Sequence, residues 1–66
     1  MKAGDYIEIA AGVHDDRMPP GRRDGLIVEF TGSKKDQVFV MFSNGQFLKF
    51  HVSQINVIRE GKNESW

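Results

Sequence analysis

Gln37-Val38-Phe39-Val40-Met41-Phe42-Ser43-Asn44-Gly45-Gln46-Phe47-Leu48-Lys49-Phe50-His51 reads as two strands joined by a tight turn. Asn44-Gly45 tolerates the positive φ angles that a type I′ turn needs at both central positions, and it is the strongest hairpin signal in the chain. A two-residue turn there pairs Ser43 with Gln46, Phe42 with Phe47, Met41 with Leu48, Val40 with Lys49 and Phe39 with Phe50. Paired residues share a face of the sheet. One face then carries Val38, Val40, Phe42 and Phe47 and ends in Lys49 and His51. The other carries Phe39, Met41, Leu48 and Phe50. A small barrel has only one inside. β-Branched residues fill a narrow interior well, so Val38, Val40, Phe42 and Phe47 are expected in the core. Phe39, Met41, Leu48 and Phe50 are then expected as an outer patch, of the kind that marks interaction sites. Two arrangements would remove this surplus: a sharp bend in the fourth strand, or Trp66 folding back over the patch.

Outward from the hairpin, strand signals recur at short intervals and helical periodicity is absent. Lys2-Ala3-Gly4-Asp5 reads as a turn that launches strand one, Tyr6 to Ala10, with Ile7 and Ile9 on one face. Residues 11–24 are polar, and Pro19-Pro20-Gly21 breaks regular pairing, so this is a long first loop. Strand two runs from Gly25 to about Phe30. Thr31 to Asp36 is a short turn. Strand three is Gln37 to Phe42 and strand four Gln46 to His51. Val52-Ser53-Gln54-Ile55 suits one 3₁₀ turn, and Asn56 to Glu60 a last short strand. The reading is one all-β domain over residues 1–60, a five-stranded SH3-like barrel. Residues 61–66 are expected to form a flexible C-terminal tail.

The chain has 66 residues, which is near the lower limit for folding without staples. A domain of this size buries only about 60% of the surface its unfolded chain exposes. There is no cysteine, so neither a disulfide nor a thiolate metal site helps. Nine basic and nine acidic residues balance, which weighs against a general nucleic-acid coat protein. No apolar run approaches the roughly 20 residues of a membrane span, and with Gly4-Asp5 so soon after Met1-Lys2 no signal-peptide segment is expected. A cytoplasmic location is expected.

Arg17, Arg22 and Arg23 lie in the long loop, and Lys34 and Lys35 in the next turn. In this barrel type the two loops flank one groove, where the five charges are expected to converge on an acidic protein segment or a nucleic-acid backbone. For a nucleic-acid ligand, Tyr6 is the one expected stacking residue, near the first strand. The competing reading is a solvated surface, since Asp15, Asp16, Asp24 and Asp36 are interleaved. No cofactor is expected. His14-Asp15-Asp16 lacks a third catalytic member, and His14 with His51 matches no metal spacing. Gly21, Gly25 and Gly32 read as turn glycines rather than a phosphate cradle. One Tyr and one Trp do not make the aromatic groove of a proline-peptide reader.

Gly4-Asp5-x-Ile7-x-Ile9, Gly25-x-Ile27-Val28, Val38-x-Val40-x-Phe42-Ser43-Asn44-Gly45 and Val57-Ile58 together resemble small SH3-like or KOW-like barrel proteins of tailed bacteriophages, including cyanophages. The likeness covers about residues 4–60. The long loop at 11–24 departs from a strict KOW motif, which weighs against a ribosomal-type RNA role. The resemblance implies an accessory, non-catalytic protein that docks onto a host enzyme of nucleic-acid processing and inhibits or alters it. The residues expected to carry that contact are Phe39, Met41, Leu48, Phe50, Arg17, Arg22 and Arg23. The alternatives are a nucleic-acid-binding barrel using the basic loops, and a structural subunit that forms a homodimer through the hairpin patch.

Overall fold

Alternating apolar residues and turn signals resolve into five strands: β1 (Tyr6–Ile9), β2 (Asp24–Thr31), β3 (Gln37–Met41), β4 (Phe47–His51) and β5 (Ile55–Arg59). A 3₁₀ turn at Val52–Gln54 precedes β5. The structure, a computed structural model, describes residues 1–61. The strands form one antiparallel sheet in the order β4-β3-β2-β1-β5. This is the all-β, five-stranded arrangement expected from the sequence, with the long first loop and the 3₁₀ turn in their expected places. Beyond Gly61, the expected tail and Trp66 lie outside the described residues. Among the described residues no helix is long and apolar enough to cross a membrane.

Among the described residues no helical layer covers the sheet, yet one of its faces is buried. The sheet therefore has to roll over on itself in the manner of a barrel. Leu48 and Phe50 from one edge strand and Ile55 from the other join Ile7, Ile9, Ile27, Val38, Val40 and Phe42 in a single core. Two bulges help the strands bend. Val28 has no partner where the β2–β3 register shifts, and Ile58 has none where the β1–β5 register shifts. The 3₁₀ turn closes the roll at one end: Val52 N–H donates to the Asp36 carbonyl at 2.9 Å, and Ala10 N–H donates to the Gln54 carbonyl at 2.8 Å. His51 caps that turn, its Nδ1 accepting from Ser53 N–H at 3.1 Å.

The hairpin corrects the expected register. Gly45 N–H donates to the Phe42 carbonyl at 2.9 Å, and Phe42 N–H donates to the Gln46 carbonyl at 3.0 Å. Gly45 has φ +84°, whereas Asn44 is not in the positive-φ region. A type I′ turn needs both. The connection is instead the three-residue loop Ser43-Asn44-Gly45, with the glycine alone left-handed. Asn44 turns its amide to local use, its Oδ1 accepting from Gln46 N–H at 3.1 Å. Pairing is therefore Met41–Phe47, Val40–Leu48, Phe39–Lys49, Val38–Phe50 and Gln37–His51. A one-residue slip sends a strand's side chains to the opposite face, and that happens to β4. Leu48 and Phe50, expected on the surface, are 1% and 5% exposed, while Phe47, expected in the core, is 57% exposed. Phe50 meets Phe42 edge-on, ring centroids 6.1 Å apart. Val38, Val40 and Phe42 are buried as expected.

Gly25 is also not a turn residue. It lies inside β2, where a Cβ would meet Val40 Cγ1 at 2.5 Å and the Met41 carbonyl oxygen at 2.9 Å. Close strand approach, not φ, requires glycine there. Asp5 is the one buried charged residue among those described. Its carboxylate accepts from Lys2 N–H at 2.9 Å, from the Lys2 ammonium at 3.2 Å and from Gly61 N–H at 2.8 Å. It thus clasps the entry to β1 against the segment that follows β5. The Gly61 N–H, with the Lys2 backbone and ammonium behind it, holds this carboxyl below its ordinary value, against the opposing effect of burial.

The corrected register is tested by Phe50→Ala, which should cost about 3–5 kcal/mol in urea denaturation, whereas Phe47→Ser should stay within about 0.5 kcal/mol. The reverse order would restore the two-residue turn. Asp5 has a depressed folded-state pKa, so its contribution is fully present above the ordinary aspartate value of 3.8 and is lost as pH falls through the lower folded value. Thermal melts between about pH 4 and pH 2 should therefore fall more steeply for the native chain than for Asp5→Asn. Parallel slopes would remove Asp5 from the acid transition.

Candidate functional site

With one face buried, the outward side chains of the ladders align in rows across the sheet. Phe47 lies opposite Met41, Met41 opposite Leu26, Leu26 opposite Tyr6, and Tyr6 opposite Arg59. One row thus crosses all five strands. The neighbouring row on the central strands is Glu29, Phe39 and Lys49. The bulge leaves both Val28 and Glu29 exposed, so Val28 adds a methyl surface between the rows. Leu26, Val28 and Met41 are 36%, 40% and 38% exposed, and Phe39 is half-buried. Val28, Glu29, Phe39 and Phe47 line a shallow depression of about 310 Å³.

This face contains two of the four expected patch residues, Phe39 and Met41. It lacks Leu48 and Phe50, which belong to the core. It gains Phe47, Leu26 and Val28, which the sequence reading did not place there. Sorting by polarity was the missed signal. The observed register gathers Val38, Val40, Phe42, Leu48 and Phe50 on one side, and it moves Lys49 and His51 to the side of Phe39 and Met41. The two-residue turn mixes these sets.

The basic residues do not converge. The long loop enters the first residue of β2, and Lys34 and Lys35 follow its last, so eight residues separate them. An eight-residue strand spans roughly 25 Å. Asn44 Nδ2, in the β3–β4 loop, donates to the Arg17 carbonyl at 3.4 Å, which puts the long loop at the opposite end from the lysines. The arginines are also engaged. Arg17 grips Asp15 through Nε at 3.1 Å and Nη2 at 2.9 Å, and it holds that carboxyl below its ordinary value. Arg22 reaches Asp24 at 3.2 Å. Arg23 turns inward, its guanidinium donating to the carbonyls of Ile9 at 3.3 Å, Ala10 at 2.6 Å and Val13. It fastens the loop across its own neck. Tyr6 is likewise occupied, its hydroxyl bonded to Asp24 and its ring faced by the Arg59 guanidinium at 5.9 Å. His14 contacts Asp16 at 3.0 Å in an exposed pair. Among the described residues, no three His, Asp or Glu side chains gather as metal ligands.

The division between Arg23 and the other loop arginines predicts a contrast. Arg23→Ala should cost about 1–3 kcal/mol and expose loop amides to hydrogen exchange, since it removes several bonds to backbone carbonyls. Arg17→Ala, which removes only an exposed pair, should stay within about 1 kcal/mol. Equal losses in urea denaturation would deny Arg23 its fastening role.

Comparison with protein-family models, with curated proteins and with solved structures returns no match.

Proposed function

We propose that the chain is a non-catalytic protein-binding module whose docking face is the outer surface of β2, β3 and β4. The observation that carries this reading is the exposed row Phe47–Met41–Leu26, flanked by Val28 and Phe39. Scattered apolar residues are normal on a protein surface, but a contiguous group at ladder spacing is the kind that marks interaction sites. Covering about 400 Å² of such surface is worth about 10 kcal/mol at 25 cal/mol per Å². Association costs are of the same order, so the net contact is a modest one. The mutual pairing of the loop arginines and aspartates favours an apolar contact over one made through phosphate. The resemblance to small phage barrels supports a foreign partner among host nucleic-acid-processing enzymes in the host cytoplasm, with docking acting as inhibition.

The test is Met41→Ser combined with Phe47→Ser. Both side chains are exposed, so circular dichroism and melting temperature should change little. Binding to whatever the native chain captures should weaken by about 30-fold or more, as expected for hot-spot residues. Undiminished capture would place the contact elsewhere.

A further inference from the structure

Resting on that reading of the outer face, we infer that in the protein free of its foreign partner this face is occupied by a second copy of the same chain, packed about a two-fold axis that runs along β3. The row Glu29–Phe39–Lys49 carries the argument. It places one acid and one base on opposite sides of a half-buried ring, each one strand away from it, which is about 4.8 Å in a ladder. A two-fold axis lying in the interface, parallel to β3 and passing over Phe39, exchanges the two sides. Glu29 of one copy then faces Lys49 of the other, twice over, while the Phe39 rings meet near the axis. The adjacent row obeys the same operation. Phe47 lies over Leu26 of the second copy, Met41 over Met41, and Leu26 over Phe47. Val28, two residues on from Leu26, lines the depression of about 310 Å³ together with Glu29, Phe39 and Phe47.

The perpendicular choice of axis, across the strands, sets Glu29 on Glu29 and Lys49 on Lys49, so charge selects the first. Such an interface is isologous: one patch complements itself, as closed dimers require. An unrelated partner would have to supply this alternation of acid, ring and base independently. The operation supplies it from the chain already present. An interface of standard size takes about 800 Å² from each partner, out of a surface of 4634 Å².

Sedimentation and light scattering on the full chain, at rising concentration, should show a mass moving toward twice 7.5 kDa. Phe47→Ser should hold it at the monomer. Glu29→Lys alone and Lys49→Glu alone should each weaken self-association at least about tenfold, because each sets like charges together twice. An equimolar mixture of these two variants should recover the dimer, since every contact across the axis is then between opposite charges. That recovery also shows that both variants are folded. A native chain that stays monomeric at all concentrations overturns the inference, and so does a dimer indifferent to these substitutions. If the native chain is monomeric yet Met41→Ser with Phe47→Ser abolishes capture of another protein, the docking face stands and the second copy is not its occupant.

Discussion

The hydrogen bond from Gly45 N–H to the Phe42 carbonyl determines which side of β4 is the inside of this protein. It closes a turn in which one residue, Gly45, takes a left-handed conformation, and it leaves three residues in the loop where two would have been enough. Side chains alternate with period two, so that single extra residue decides the fate of five. Leu48 and Phe50 meet Val40 and Val38 inside the sheet, and Phe47, Lys49 and His51 face outward. The content of the core and the make-up of the outer face depend on that outcome. The rolled sheet has a core of sufficient size only because both edge strands contribute apolar side chains to it.

Small size makes the rest of the molecule an exercise in fastening. With no cysteine, a 66-residue chain must hold its ends and its long loop by polar contacts placed where packing is thin. Asp5 ties the segments flanking β1 and β5, and Arg23 ties the long loop to the backbone at its base. The 3₁₀ turn links the start of that loop to the β2–β3 connection. Arg23, which a sequence reading assigns to a partner contact, is thus occupied in holding the fold. The apolar residues left outside, in register across β2, β3 and β4, have no such employment among the described residues. Their arrangement, and that of Glu29 and Lys49 around Phe39, is the strongest functional signal the surface carries.

What the amino-acid sequence determined by itself was the class, the number and the order of elements. Alternation at Ile7 and Ile9 and at Val38, Val40 and Phe42 marks strands regardless of context. Pro19-Pro20-Gly21 interrupts pairing because proline lacks a donor. Val52-Ser53-Gln54 is too short for anything longer than a 3₁₀ turn. These are local constraints, and they held to within a residue or two. Half of the expected patch was legible for the same reason, since Phe39 and Met41 alternate with Val38, Val40 and Phe42 whatever β4 does.

Only the tertiary structure decided the partner of each β3 residue, because Asn44-Gly45 is compatible with a two-residue and a three-residue loop, which differ by one residue locally and by a whole face in consequence. The preference between them comes from burial at a distance: one register sorts apolar from polar residues into inside and outside, and the other does not. The destinations of Asp5 and Arg23 were set in the same way, by the Gly61 N–H and by the Ile9, Ala10 and Val13 carbonyls, which the tertiary structure brings near. A turn signal such as Asn44-Gly45 specifies that the chain reverses. Which faces meet afterwards depends on the core that the reversal must help to fill.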